Sequence, residues 1–158
     1  MTKTIDKGDM APDFDLPTDG GGQFKLSTHS GHPVIVFFYP KDDTSGCTVE
    51  AIDFTAMKPD FDAIGAQIVG ISPDNPASHD KFKAKHELAV TLACDEDKGV
   101  LEVYGVWTEK SMYGRNYMGV ERSTFLIDSE GRVAQAWRKV KVPGHVTEVL
   151  AAARDITG

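Results

Sequence analysis

An α/β fold with a mixed β-sheet is predicted by three features of the sequence. Residues 34–39 are a continuous apolar run, and residues 67–72 are apolar except at their ends, as in strands that are buried on both faces of a sheet. Segments of helical length separate these runs from each other and from a shorter apolar run at residues 90–93. Two further apolar runs within residues 123–137 flank a turn and predict an antiparallel hairpin. Strands joined by helices and followed by a hairpin are typical of an α/β domain.

The first half of the chain adds a hairpin and a helix to this pattern. Residues 14–16 and 23–26 flank a glycine-rich turn and predict a small N-terminal β-hairpin. A helix from about Thr44 to Met57 follows the first buried strand. We expect Pro59 to end or kink this helix, with a second helical piece beyond it, because proline lacks an amide donor and clashes with the preceding turn.

The second half of the chain contains three further helices and one segment without a clear period. A polar helix is predicted to run to about His86, and a short helix around residues 99–104. Residues 107–120 are predicted to form a structured loop, and the apolar stripe of residues 146–153 predicts an amphipathic closing helix. A thioredoxin-like sandwich, with a mixed central β-sheet flanked by helices and an N-terminal β-hairpin, is the simplest architecture for this order.

Composition limits the classes of function. The 158 residues show no composition break, so a single domain over residues 1–158 is predicted. A net charge of −7 argues against nucleic acid or an anionic membrane as the partner. The first nine residues contain no apolar run typical of a secretory signal, and the strongest apolar stretch, 33–40, is too short to span a bilayer. Two cysteines do not make a disulfide framework, which favours a cytoplasmic protein with reduced thiols.

Cys47 occupies a position that favours a reactive thiol. The buried strand at residues 34–39 runs into Pro40, and Cys47 lies in the predicted first turn of the next helix. Free backbone amides and the helix macrodipole favour an anion there, and the thiolate is the nucleophilic form of cysteine. Thr44, three residues earlier, is expected to cap the helix or to bring its hydroxyl next to the sulfur. The alternative is a cysteine that points into the core, where free cysteines are common.

Residues 38–51 resemble the active-site signature of the peroxiredoxins, with the family's Pro-x-x-x-Thr-x-x-Cys spacing. The most similar subgroup is the bacterioferritin comigratory protein, or peroxiredoxin Q, type. Residues 121–128, with Arg122 at the start of a strand, resemble the second landmark of that subgroup, and residues 11–14 also match. The resemblance extends from about residue 8 to the C-terminus.

The resemblance implies a thiol peroxidase that reduces hydrogen peroxide and organic hydroperoxides without a metal or an organic cofactor. Cys47 is then the nucleophile, which becomes a sulfenic acid. Arg122 is expected to hold the thiolate and to stabilise charge on the peroxide oxygens, while Thr44 positions the peroxide. Pro40 is expected to shield the sulfenic acid from water. Glu50 is expected to orient Arg122 through an ion pair, unless it is simply an exposed helix carboxylate.

This chain differs from the subgroup in the residues available to reduce the oxidised Cys47. Many relatives carry a second cysteine five residues after the first, where this chain has Ile52, and others carry it on a later helix, where residues 81–85 have none. The other thiol, Cys94, is expected about 10 Å from the active-site strand, whereas a disulfide needs Cα atoms within about 7 Å. Cys94 is therefore either a resolving cysteine that requires the Cys47 helix to unwind, or a small buried residue at a strand end.

If Cys94 does not resolve Cys47, an external thiol reduces the sulfenic acid. The resemblance implies thioredoxin, glutaredoxin or a low-molecular-weight thiol as this reductant. A monomer or a weak homodimer is expected.

Other functions of a thioredoxin-like fold fit the sequence less well. A disulfide oxidoreductase needs Cys-x-x-Cys, and the first position of this frame is Thr44. A cysteine hydrolase needs a histidine base beside Cys47, but the histidines are scattered and lack metal-ligand spacing with the cysteines. We expect all of them on the solvated surface: His29, His32, His79, His86 and His145. A non-peroxidase binding or chaperone module is the alternative from another class, and it predicts that Cys47→Ser leaves activity intact.

Overall fold

The computed structural model describes residues 5–157 and contains nine strands and four α-helices within that range. The strands are β1 (Asp15–Pro17), β2 (Gln23–Lys25), β3 (Val34–Phe38), β4 (Gln67–Ser72), β5 (Thr91–Cys94), β6 (Trp107–Met112), β7 (Arg115–Val120), β8 (Ser123–Ile127) and β9 (Val133–Trp137). The helices are α1 (Ser45–Ala63), α2 (Pro76–His86), α3 (Gly99–Val103) and α4 (His145–Thr157). The first four residues, on which part of the prediction about a secretory signal rests, lie outside the described range.

The central sheet has five strands in the order β5-β4-β3-β8-β9. β3, β4 and β5 are parallel, whereas β8 pairs antiparallel with β3 and β9 pairs antiparallel with β8. Every residue of β3 and β8 is buried, which explains why neither strand alternates between apolar and polar residues. The predicted mixed sheet flanked by helices is therefore confirmed, and so is the N-terminal hairpin, formed by β1 and β2.

Each face of the sheet has its own hydrophobic core, and successive residues of β3 alternate between the two. Ile35 and Phe37 pack with α1, α2 and α4, whereas Val36 and Phe38 pack with β1, β2 and α3. Phe37 requires a glycine beneath it, because a Cβ at Gly70 would lie 2.5 Å from its ring. The α1 face is the one that carries Cys47.

Two predictions about the elements are wrong, the first of them only in part. Of the two outcomes expected at Pro59, the end of the helix does not occur, since α1 continues to Ala63, and the helical piece expected beyond Pro59 is the last part of α1. Buried Phe54 and Phe61, one on each side of Pro59, hold both parts of α1 in the same core, which offsets the roughly 3 kcal/mol cost of a proline inside a helix.

The second wrong prediction is the loop over residues 107–120, which is the β6–β7 hairpin. Its two-residue turn, Tyr113 and Gly114, has positive φ at both positions, as type I′ turns require. Most of its described side chains are exposed or half-buried, so no alternation marks the strands in the sequence. Within the described part of the chain, no helix is both long enough and apolar enough to cross a membrane.

Candidate active site

Cys47 is the third residue of α1, just beyond the carboxyl end of β3. Its side chain is buried, with only 1% of the residue exposed. The first turn of α1 contains no acidic residue, and the Thr48 amide donates to the Thr44 carbonyl at 2.8 Å to begin the helical hydrogen bonds. Cys47 therefore lies at the positive end of a 19-residue helix, and no carboxylate in the first helical turn neutralises that end.

Arg122 reaches Cys47 because of the register of the central sheet. Ser123, the next residue, pairs with Phe38 at the carboxyl end of β3, so Arg122 lies beside the start of α1. Its Nη2 donates to Cys47 Sγ at 3.2 Å, and its Nη1 donates to Glu50 Oε1 at 2.8 Å. One guanidinium thus contacts two acidic side chains that come from the same helical turn.

Glu50 is fully buried rather than an exposed helix carboxylate. Burial raises the pKa of Glu50 to about 7, although Arg122 acts in the opposite direction. Its Oε2 is buried and, among the described residues, has no hydrogen-bond partner. Burial disfavours the charge of Arg122, but Glu50 and Cys47 outweigh this effect and raise the pKa of the guanidinium.

Gly46 allows the contact between Arg122 and Cys47 because it has no side chain. The sequence alone did not lead us to assign this role to Gly46. A Cβ at this position would lie 3.1 Å from Nη2 of Arg122. The glycine thus leaves room for the guanidinium against the first turn of α1. A signal was present in the sequence, because glycine within a helix has a low intrinsic propensity and often marks a close approach.

Thr44 and Pro40 lie where the chain passes from β3 to α1. Thr44 is at the N-cap position of α1 with an extended backbone, but its side chain does not cap the helix. Its hydroxyl instead donates to the Lys41 carbonyl at 2.8 Å, so Thr44 is the N-cap residue by position but not through its side chain. The alternative, a hydroxyl next to the sulfur, stays a prediction. A hydroxyl that donates to one partner keeps its acceptor lone pairs, and Thr44 is exposed. Pro40 is half-buried.

The histidines do not all lie on the surface as expected. His79 is 0% exposed and His145 is 4% exposed, so the prediction is wrong for both. Each has hydrogen-bonding partners that compensate burial: His79 contacts Asp42, and His145 Nε2 lies 2.8 Å from Thr124 Oγ1. Within residues 5–157 no histidine hydrogen-bonds Cys47, whose sulfur instead receives the Arg122 donor. A histidine-activated hydrolase is therefore not supported.

Cys94 ends β5 and is separated from β3 by β4, as expected. Both cysteines are free thiols. Burial raises the pKa of Cys94 to about 12, and nearby carboxylates act in the same direction. These carboxylates belong to Glu96, Asp42, Asp74 and Asp19. Cys94 is consequently a protonated thiol at neutral pH, which is a weak nucleophile.

One group of side chains has the composition of a metal site. Asp42, Asp74 and His79 present potential ligand atoms within 4.8 Å of one another. His79 Nδ1 is 2.6 Å from Asp42 Oδ2, which is the distance of a strong hydrogen bond and closer than two ligands of one ion normally approach. We interpret this group as a hydrogen-bonded ion pair.

The chain matches the family model described as "AhpC/TSA family" over residues 7–136. It is 51% identical over 144 residues to Peroxiredoxin Bcp of Xanthomonas campestris, covering 90% of each protein. It is also similar to a structure of bacterioferritin comigratory protein from that organism, reported for alkyl peroxide reduction activity, with a TM-score of 0.88 and 48% identity over 92% of both chains. A mutant of PrxQ from Xylella fastidiosa gives a TM-score of 0.92 at 36% identity, covering 97% of this chain and 98% of the other.

These similarities extend over nearly the whole chain and agree with the residues quoted from its sequence. They confirm the predicted thioredoxin-like fold. The chain belongs to the AhpC/TSA family, in its peroxiredoxin Bcp or peroxiredoxin Q subgroup.

Proposed function

We propose that this chain is a thiol peroxidase that reduces hydrogen peroxide and organic hydroperoxides, with Cys47 as the nucleophile. The observation that carries the proposal is the 3.2 Å contact from Arg122 Nη2 to Cys47 Sγ at the start of α1. A guanidinium and a helix N-terminus both favour the thiolate. The alkyl peroxide reduction reported for the X. campestris relative supports the choice of substrate.

In the proposed reaction the Cys47 thiolate attacks the terminal oxygen of the hydroperoxide. An S–O bond forms as the O–O bond breaks, so the sulfur is oxidised by two electrons to a sulfenic acid. The leaving alkoxide or hydroxide takes a proton from solvent and becomes an alcohol or water. Arg122 stabilises the negative charge as it moves from sulfur to the leaving oxygen, because its own charge is permanent.

Thr44 and Pro40 are proposed to control the approach to the sulfur. The acceptor lone pairs of the exposed Thr44 hydroxyl suit the O–H group of a hydroperoxide, which would orient its terminal oxygen toward Cys47. Pro40 offers no amide donor, so it would limit the water held next to the sulfenic acid. Glu50 is proposed to orient Arg122 through their 2.8 Å ion pair.

An external thiol is proposed to restore Cys47. One thiol attacks the sulfenic acid to form a mixed disulfide and water, and a second thiol releases reduced Cys47. Cys94 is disfavoured for the first of these steps because its pKa is raised to about 12 and β4 lies between its strand and β3. Thioredoxin, glutaredoxin and low-molecular-weight thiols have the required chemistry, and the cytoplasm is the compartment that supplies them.

Peroxide consumption by Cys47→Ser and Cys94→Ser proteins tests the proposal. With excess dithiothreitol as reductant, we expect Cys47→Ser to lose at least about a thousandfold in rate, since it removes the nucleophile. The matched control Cys94→Ser removes the other buried thiol and should keep the wild-type rate. Unchanged consumption by Cys47→Ser would overturn the proposal and favour a binding or chaperone module.

A further inference from the structure

The segment that connects β3 to α1, residues 40–44, is called the active-site loop because it carries Pro40 and Thr44. Within it, Asp43 has a φ of 61°, in the left-handed region that non-glycine residues rarely adopt. Such a conformation persists only where surrounding contacts hold it. The buried contacts of this loop therefore bear on the geometry at Cys47, whereas an exposed ion pair on the loop contributes little.

The innermost contact is made by Asp42, whose side chain is 3% exposed. Its Oδ1 accepts from the Tyr39 hydroxyl at 2.7 Å. Its Oδ2 accepts from the Ser78 hydroxyl at 2.8 Å and lies 2.6 Å from His79 Nδ1. The Asp42 amide donates to the Asp74 carboxylate at 2.8 Å. Donors converging on both oxygens of Asp42 match a carboxylate, which only accepts.

The protonation state of His79 follows from the same geometry. Its Nδ1 faces the Asp42 carboxylate, and its Nε2 lies 2.9 Å from the Ala93 carbonyl. Both partners accept hydrogen bonds and neither donates, so both ring nitrogens must carry a hydrogen. With Asp42 as a carboxylate, the imidazolium is the only form of His79 that donates to both partners.

The titratable groups around His79 are compatible with a positively charged imidazolium. Burial lowers the pKa of His79, but Asp42, the Ala93 carbonyl and Asp74 outweigh this effect and raise it. Tyr39, on β3, has a pKa well above its ordinary value because of burial and Asp42, so it stays a neutral donor. Cys94, on β5, stays a protonated thiol. The positive charge of His79 is therefore balanced by carboxylates from two loops.

We propose, on the basis of the function proposed above, that His79 is a positioning residue whose imidazolium fastens the active-site loop to α2 and β5. The connection runs from the loop through Asp42 to His79 on α2 and on to the Ala93 carbonyl on β5. A neutral imidazole has one N–H, so it can keep only one of these two contacts. Loss of the proton would then release either the loop or the strand, and Thr44 would lose its fixed position.

The sign of the pH effect follows from the direction of the shift. Because the folded state raises the pKa of His79 above 6.5, the fastened loop is favoured at and below that pH. The contact is lost as the pH rises through the folded-state pKa. The peroxidase would thus have a loop that loosens on the alkaline side.

The test compares His79→Gln, Asp42→Asn and the control His86→Asn. His86 is on the same helix and contacts Asp43 of the same loop at 2.8 Å, but the ion pair is solvent-exposed and should contribute little. The second-order rate of Cys47 oxidation by hydrogen peroxide is measured across pH. Hydrogen exchange of the amides of residues 41–47 and NMR titration of the histidine rings are measured on the same proteins.

We expect His79→Gln and Asp42→Asn each to lower the oxidation rate by about ten- to a hundredfold near pH 6. The ratio of the wild-type rate to either variant's rate should fall toward one as the pH rises past the His79 titration. Exchange of the loop amides should increase in both variants while the amides of β8 stay protected, and His86→Asn should change each quantity less than about twofold.

Two results would overturn the proposal. One is a His79 ring that is neutral at pH 6 in the wild-type protein, and the NMR titration reports this even if the variants fold poorly. The other is a variant with wild-type rate and wild-type exchange of the loop amides. Failure of the proposed function would look different, because Cys47→Ser would then still consume peroxide while the NMR and exchange results stayed as expected.

Discussion

The two thiols of this protein are almost equally inaccessible, yet their surroundings differ in charge. Cys47 is 1% exposed and Cys94 is 2% exposed. Cys47 lies at the positive end of α1 and accepts a hydrogen bond from Arg122. Cys94 lies at the end of β5 among carboxylates, and its pKa is raised to about 12. Burial alone therefore does not determine what a cysteine can do; the charge of its neighbours does.

The difference between the surroundings of Cys47 and Cys94 depends most strongly on Arg122. Replacement of Arg122 should therefore have the largest effect on the rate of peroxide reduction. In Arg122→Gln the fixed positive charge beside Cys47 is lost, and with it the stabilisation that we propose for the thiolate and the leaving oxygen. We expect the second-order rate with hydrogen peroxide to fall by about a hundred- to a thousandfold. Competition with a peroxidase of known rate measures this constant.

Arg154→Gln provides the matched control for this substitution. Arg154 forms an exposed ion pair with Asp60 at 3.7 Å on the surface of the protein. Its replacement should leave the rate within about twofold of the wild-type value. A rate for Arg122→Gln within tenfold of the wild-type rate would contradict the electrostatic account of Cys47.

Glu50 adds a second charge effect near Cys47, because it is a buried acid that shares Arg122 with Cys47. The pKa of Glu50 is about 7 in the folded protein, compared with 4.5 for a glutamate in an unfolded chain. The folded protein therefore binds the proton of the Glu50 carboxyl more tightly than the unfolded chain does. The resulting stability is fully present below about pH 4.5 and is lost as the pH rises to about 7. The difference corresponds to about 3 kcal/mol in the free energy of unfolding.

Glu50→Gln should remove this part of the pH dependence, since glutamine does not titrate. Urea unfolding of the wild-type and variant proteins at several pH values between about 4.5 and 8 measures it. Contributions from other titrating groups, such as His79, are common to both proteins and cancel in the difference. Glu109→Gln, at an exposed position on β6, should retain the wild-type slope. Parallel profiles for wild type and Glu50→Gln would contradict the assignment.

The sequence was sufficient for most of the sheet because burial on both faces leaves a strong local signal. The apolar runs at residues 34–39 and 67–72 contain β3 and β4, and the hairpin of β8 and β9 was also predicted. The β6–β7 hairpin was missed because its side chains are largely solvated and follow no period. Its turn of Tyr113 and Gly114 was the remaining local signal.

The site residues could be predicted from local position or from a motif. Cys47 was predicted from its place at the start of a helix and Arg122 from the family signature, but the burial of Glu50 depends on how α1 packs, which local sequence does not specify. Asp42 and His79 are 37 positions apart and meet only because β3 and β4 are adjacent parallel strands with α2 following β4. Such a pair cannot be derived from spacing, and each residue alone looks like an ordinary surface polar residue.

The smallest effect on peroxide reduction is expected for the Cys94→Ser substitution. This substitution is also the most direct test of the difference between the two thiols. After one equivalent of hydrogen peroxide, intact-mass analysis with a sulfenic-acid trap should show one trapped oxidised cysteine in both wild type and Cys94→Ser. The reason is that Cys94 is protonated and β4 lies between β5 and the active-site strand. Rates of peroxide consumption should differ by less than about twofold.

A positive control for this result is Ile52→Cys, which introduces an exposed thiol five residues after Cys47 on α1. Residues five apart on an intact helix are too far apart for a disulfide, so a bond between positions 47 and 52 would require α1 to unwind. A loss of two hydrogens from Ile52→Cys on oxidation would show that α1 can unwind. If wild type shows no such loss, Cys94 fails to react although α1 can open, as the carboxylates around Cys94 predict. A loss of two hydrogens in wild type that is absent from Cys94→Ser would mean instead that unwinding of α1 is enough to overcome the carboxylates around Cys94.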